Sequence, residues 1–265
     1  MDLGLKDKVV LVTGASRGIG RAIALSFAGE GCRLALASRT PETLAAVANE
    51  VDALGAEARH WVTDVTDPTQ VESLVQNACQ TWGGIDILVN NAGGSLPKAF
   101  EAVSDDEWER IVNLNLFSAI RLSRAVLPHM KERGRGQIIN IAALSGRVPR
   151  LGQIASNAAK AGLINFTESL AAEVARHGIR VNAVCPAAIL TERWEQRVAR
   201  YGKERGLSFE QAMTEMAGKV IPLGRFGLPE EVASAVVFLA SEHAGFITGV
   251  SIFVDGGMGR SVSIP

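Results

Sequence analysis

Gly14, Gly18 and Gly20 form a TGxxxGxG turn between an apolar run, VVLV, and a segment of helical period, IGRAIALSF. Glycines in such a turn let the backbone approach a pyrophosphate closely, and the helix behind it offers free N–H groups and a partial positive charge. Strand, turn and helix in this order form the context that gives the motif its meaning. Residues 13–20 are therefore expected to hold a nicotinamide dinucleotide through Gly14, Ser16, Arg17, Gly18, Ile19 and Gly20. About 20 residues further on, an acid would hold the ribose 2′-hydroxyl of NAD, whereas an arginine suits a 2′-phosphate. Here the second apolar run ends in Ser38 and Arg39 with no acid, and Arg17 lies inside the turn. Two guanidiniums can grip a phosphate dianion, so the expected cofactor is NADP(H).

The elements that must position these groups follow from periodicity. Short apolar runs at 9–12, 33–37, 58–62, 87–89, 137–141, 180–184 and 251–254 alternate with helical patterns near 18–29, 41–54, 68–81, 106–132, 153–177 and 229–240. This is the signature of βαβ units and a parallel sheet covered on both faces. Right-handed crossovers then give a single-domain, doubly wound α/β Rossmann fold with its ligand crevice at the carboxyl ends of the strands. Residues 191–219 interrupt the rhythm with polar helical pattern where a short loop would suffice. They are expected to form either a mobile lid or a static surface excursion.

Composition narrows the function classes. A chain of 265 residues that is 47% hydrophobic suits one large α/β domain. A net charge of −1 gives no field that would draw in nucleic acid or an anionic membrane. No apolar run approaches the roughly 20 residues of a bilayer span, and the charged start MDLGLKDKVV is no secretory signal. Cys32, Cys79 and Cys185 are scattered, as buried hydrophobes of a reducing, cytoplasmic compartment would be. No cluster has metal-ligand spacing, so no metal is expected. His60, read at a strand end, and His129, His177 and His243 are taken as helix-end or exposed residues. The run KERGR at 131–135 is taken as a solvated helix end.

TGASRGIG (13–20), NNAG (90–93), Lys160 on a long helix and PLGRFGLPEEVA…FLAS…ITG…VDGG (222–257) together resemble the short-chain dehydrogenase/reductase family. Within it the chain looks nearest to the 3-oxoacyl-carrier-protein reductases. The resemblance implies seven parallel strands with helices on both faces and a homotetramer packed through the helices at 106–132 and 153–177 and through the C-terminal segment. It also implies cofactor contacts at Asp64 and Val65 (adenine), at Asn91, Ala92 and Gly93 (fourth-strand wall), at Lys160 (nicotinamide ribose) and at Ile189 and Thr191. The family's Pro-Gly after the sixth strand reads Pro186-Ala187 here, a change expected to stiffen that turn.

The resemblance also implies an active centre, and there the chain departs from it. The family moves a hydride between nicotinamide and a carbonyl or carbinol, using a Tyr proton donor, a Lys four residues later, a Ser and an Asn. With Lys160 as the Lys, Ser156 stands in the Tyr position and Ala143 in the Ser position, while Asn115 survives seven residues after Trp108. A phenol has a reference pKa near 10 that a lysine can lower, whereas an aliphatic hydroxyl titrates far higher. Three accounts stay open. A water in the space of the missing ring relays protons among Ser156, Lys160 and Asn115, with Ser156 and Lys160 on one helix face. Ser145 or the sole tyrosine, Tyr201, substitutes. Or the domain is a silent NADP(H)-binding or partner-binding protein. The expectation adopted is an NADP(H)-dependent oxidoreductase acting on a small carbonyl or alcohol substrate, with catalytic Asn115, Ser156 and Lys160.

Overall fold

The computed structural model describes residues 2–260. Seven strands, β1 (Val9–Thr13), β2 (Arg33–Ser38), β3 (Ala58–Val62), β4 (Ile87–Asn90), β5 (Gly136–Ile141), β6 (Ile179–Pro186) and β7 (Ser251–Val254), form one sheet. The order is β3-β2-β1-β4-β5-β6-β7, and the pairings are parallel. The order reverses between β1 and β4, so the crevice of the fold opens beyond Thr13 and Asn90.

Continuous apolar strands are what this sheet requires, because successive side chains enter different cores. Val10 and Val12 of β1 pack with Ile23 and Phe27 of α1 (Gly18–Gly29), Leu44 of α2 (Pro41–Ala53) and Val236. Val9 and Leu11 pack on the other face with Leu74 of α3 (Pro68–Trp82), and with Leu122 and Val174. Ile87 and Val89 of β4 join the first core, and Leu88 joins the second.

Helix boundaries have local causes. Asp67 caps α3 by accepting from the N–H groups of Thr69 and Gln70, Pro68 fixes the first turn, and Gly83 ends the helix at φ 75°. Ser104 and Glu107 close a reciprocal capping box at the start of α4 (Asp105–Val112).

The helix expected over 106–132 is not continuous. After α4 the chain makes one turn of π-helix, Asn113–Phe117, and then resumes as α5 (Ser118–Glu132). The wider turn inserts one residue into the ladder and re-aims what it carries, here Asn115. The long helix α6 runs over Ile154–Val174 and ends in a short 3-10 turn, Ala175–His177.

Three other expectations change. His60 sits in the middle of β3, not at its end, exposed on an edge strand. The run at 131–135 is not merely solvated: Arg133 donates to the Asp86 carboxylate at 2.7 Å. Asp86 in turn accepts from the N–H of Val9 at 2.9 Å, clamping the base of β1 to the end of α5. The strain near Pro186 falls one residue later than the Pro-Gly comparison suggests, at Ala188, which adopts φ 41°. That is left-handed backbone carrying a side chain.

The 191–219 segment is a helix pair, α7 (Glu192–Arg205) and α8 (Phe209–Val220). Gly206 stops α7 at φ 70°, and a Ser208–Gln211 capping box starts α8. The pair has a small core of its own, built from Val198, Ala212, Ala217, Ile221 and Phe226. Helix α9 (Pro229–Ala240) then returns the chain to the sheet.

Candidate active site

The phosphate turn is held by the loop facing it across the crevice. The Thr13 hydroxyl accepts from the N–H groups of Asn91 and Ala92 at 3.1 and 3.2 Å. The Asn91 side-chain amide donates to the carbonyls of Thr13 and Gly14 at 2.9 and 3.1 Å. One face of the turn is thus occupied, and the other is left for a ligand. Gly14 (φ 64°) and Gly18 (φ 53°) adopt left-handed backbone, and a Cβ on Gly20 would fall inside 3 Å of the Gly14 carbonyl oxygen. No side chain caps the N-terminus of α1 and no acid sits in its first turn. Its free N–H groups and dipole therefore face the crevice uncompensated, which fits a phosphate.

A cleft of about 700 Å³ follows the carboxyl ends of the strands. Its walls include Gly14, Ser16, Arg17, Gly18, Ile19 and Gly20 from the turn, Ser38 and Arg39 after β2, and Asp64 and Val65 after β3. They also include Asn91, Ala92 and Gly93 after β4, then Asn115, Ser145, Ser156, Lys160, Ile189 and Thr191. The sequence-derived site residues, from Gly14 to Thr191, meet in one volume. Its size suits an extended ligand.

Arg17 lines the cleft and also carries an ion pair. Its guanidinium pairs with Glu192 at 2.9 Å, at the start of α7, and both side chains are more than half exposed. Such a pair contributes little to stability. It does tie the phosphate turn to the start of α7. Arg39 is exposed and makes no ion pair among the described residues.

At the other end, Lys160 reaches from α6 beneath β5 and donates from Nζ to the Ile141 carbonyl at 2.6 Å. Burial pushes its pKa down from 10.5 to about 8, with Cys185 acting in the opposite direction as the smaller cause. Gly93 makes room for it, since a Cβ there would lie 3.4 Å from Nζ and 2.9 Å from the Asn115 Oδ1.

Asn115 and Ser156 both brace the loop after β4. Asn115 accepts from the N–H of Gly94 at 3.1 Å and donates to the Ile111 carbonyl at 2.9 Å, a position created by the π turn. The Ser156 hydroxyl accepts from the N–H of Leu96 at 3.1 Å and is 4% exposed. Ala143 lines the cleft without a hydroxyl, while Ser145, two residues on, lines it with one. Tyr201 is elsewhere: its hydroxyl donates to Glu215 and accepts from Lys219, each at 2.8 Å, inside the helix pair. No phenol lines the cleft, and the titratable amine at its inner end is Lys160.

The sequence reading missed several wall residues. Thr63 borders the cleft beside Asp64, while Arg150, Arg193, Trp194 and Arg197 bring charge and an aromatic face to the mouth. The basic and aromatic content of 191–197 was the available signal. Among the described residues no group of three or more His, Cys, Asp or Glu is placed to hold a metal, and no helix is long and apolar enough to cross a membrane.

Comparison with known proteins agrees with this geometry. A family model described as enoyl-(acyl carrier protein) reductase matches residues 14–259. The chain is 43% identical to the 3-oxoacyl-[acyl-carrier-protein] reductase FabG of Salmonella typhimurium over 256 residues, covering 97% of this chain and 99% of that one. The structure superposes on L-sorbose reductase from Gluconobacter frateurii, solved with NADPH and L-sorbose, with a TM-score of 0.95 at 36% identity, covering 99% of this chain and 100% of the other. An actinorhodin polyketide ketoreductase variant, solved with NADPH, gives 0.90 at 35% identity and covers 96% and 98%. With the sheet order, the glycine turn and the lysine at the inner end of the cleft in place, the chain belongs to the short-chain dehydrogenase/reductase family of oxidoreductases.

Proposed function

We propose that the protein is an NADP(H)-dependent oxidoreductase that interconverts a small carbonyl compound and its alcohol, with Lys160 as the proton donor and acceptor. The observation that carries this reading is the position of the Lys160 amine: buried, anchored to Ile141, with a pKa near 8, at the inner end of a cleft whose outer end is a phosphate turn. A group that titrates near the working pH exchanges protons efficiently in both directions. The active centre is atypical in this account, because Ala143 and Ser156 stand where the family resemblance implies Ser and Tyr.

NADPH, when bound, supplies the hydride that reduces the substrate carbon. The α1 N-terminus and the glycine turn hold its pyrophosphate, and Asp64 and Val65 border the adenine. Arg39, without an acid beside it, holds the 2′-phosphate, and Ile189 and Thr191 lie along the nicotinamide half. The ammonium of Lys160 gives a proton to the carbonyl oxygen, directly or through one water, as the alcohol forms. Ser145 offers a hydroxyl to the same oxygen. Asn115 and Ser156 position the loop after β4 and keep Gly93 against the reacting groups. Helices α7 and α8 cover the site as its lid.

Two outcomes test the binding half. Arg39→Ala should weaken NADPH by about tenfold or more in fluorescence titration and leave NADH little changed, the loss of a charge-assisted contact. An equal loss for both would remove Arg39 from phosphate recognition. Gly20→Ala should abolish measurable NADPH binding, since the added methyl displaces the turn that cradles the phosphates.

A second reading is favoured by one observation: Asn115 and Ser156 spend their polar atoms on the loop backbone. In that reading the protein binds NADP(H) or a protein partner and turns nothing over. By the same family resemblance the enzyme is placed in the cytoplasm as a homotetramer packed through α4, α5 and α6, which light scattering on the purified protein tests.

A further inference from the structure

Two guanidiniums face one indole ring at the mouth of the cleft. The Arg150 guanidinium carbon lies 5.5 Å from the centre of the Trp194 ring, and that of Arg197 lies 5.2 Å from it. The ring is backed by Phe226 at 5.1 Å. Arg150 belongs to the loop after β5, and its carbonyl accepts from the Asn157 side chain at 2.8 Å, so it is tied beside Ser156. Trp194 and Arg197 come from α7. All three line the cleft that holds Lys160.

Neither guanidinium has an acidic partner among the described residues. Glu192, the acid of this part of the wall, is taken by Arg17 at 2.9 Å. Arg193 adds a third positive charge and donates to the Ser95 hydroxyl at 3.0 Å. Arg150 is partly desolvated, and that burial, followed by the charge of Arg197, depresses its pKa. Burial, then Arg197 and Arg17, does the same for Arg193. Like charges gathered on one cleft wall oppose each other, and stacking on the indole offsets only part of this. The arrangement becomes favourable when an anion enters, because guanidinium forks bind carboxylate or phosphate with two parallel hydrogen bonds. The dinucleotide's own phosphates are assigned, in the reading above, to the α1 N-terminus and Arg39.

We propose that Arg150 and Arg197 are the anion-recognition arm of the substrate site, so that the substrate is a carbonyl or alcohol compound bearing a carboxylate or phosphate. The inference rests on the oxidoreductase reading for which end of the cleft receives substrate. Trp194 fixes the two forks and excludes water from one side of the anion.

Calorimetry on the protein saturated with NADP+, which cannot reduce a ketone, tests this with two matched pairs. One is acetoacetate against methyl acetoacetate, and the other is dihydroxyacetone phosphate against dihydroxyacetone. In at least one pair the anion should bind about tenfold more tightly than its neutral partner, and which pair shows it separates carboxylate from phosphate. Arg150→Gln and Arg197→Gln should each largely erase that preference while leaving NADP+ affinity unchanged. Equal binding within both pairs, no binding by either anion, or a preference that survives both substitutions would overturn the proposal. Anion binding that depends on the arginines, without any turnover of acetoacetate or dihydroxyacetone phosphate by the NADPH form, would instead sink the oxidoreductase reading and leave the anion site standing.

Discussion

Lys160→Met should reduce carbonyl turnover by about 10²–10⁴-fold, the usual contribution of a positioned acid or base. The methionine keeps the stem that packs on α6 and β5 but removes the proton. Lys160→Arg supplies the complementary variant: it retains a cation beside the ribose but cannot give up a proton near neutral pH. NADPH affinity should therefore fall with methionine and largely survive with arginine, while turnover collapses in both. A purely structural lysine predicts the opposite, parallel rescue of binding and turnover by arginine.

The pH dependence has a definite sign. Reduction needs the ammonium, so kcat for reduction should be flat at lower pH and fall as pH rises through about 8, the value to which burial depresses Lys160. Alcohol oxidation needs the free amine and should rise over the same interval. Stability moves in the same range. The folded pKa lies below the 10.5 of an unperturbed lysine. The cost of holding the charged amine is therefore complete below about pH 8 and fades as pH climbs towards 10.5. Lys160→Met is accordingly expected to remain folded at pH 7, which keeps its kinetic result interpretable.

The second large effect should come from Ala143→Ser combined with Ser156→Tyr. Both positions line the cleft, four residues or fewer from Ser145 and Lys160. The phenol restores an acid whose pKa a neighbouring lysine lowers, and the serine restores a second donor to the carbonyl oxygen. Carbonyl reduction should rise by about 10²-fold or more, measured as NADPH oxidation with 3-oxoacyl thioesters and diketones. The cost is the bond from the Leu96 N–H to Ser156, about 1 kcal/mol, read as a modest fall in Tm. No gain from a variant that still binds NADPH would mean that the cleft is shaped for chemistry the added phenol does not assist.

The phosphate turn was legible in residues 13–20 alone, because strand, glycines and helix are contiguous and each glycine has a local steric reason. Fourteen further wall positions were placed by spacing or by family resemblance, and the cleft brings them together. The ion pair of Arg17 was not legible, because its partner, Glu192, lies 175 residues away and no local pattern announces it. The π turn at Asn113–Phe117 was invisible for a different reason. One extra residue in a turn leaves the apolar stripe of the helix nearly unchanged, yet it decides where Asn115 points. Arg150 and Arg197 could not be paired from sequence, since their relation is fixed only by the stacking of both on Trp194. Arg133 read as part of a solvated helix end, since its partner, Asp86, is brought to it only by the sheet.

The measurement that bears most directly on the central claim is transfer of label from NADPH deuterated at C4 of the nicotinamide. The substrates would be a panel of carbonyl compounds including acetoacetate and dihydroxyacetone phosphate, with products read by mass spectrometry. The account predicts an alcohol product carrying one deuterium from one of the two C4 positions, with the rate lost in Lys160→Met. Tight NADPH binding with no deuterium in any product would contradict it and establish a silent binding protein.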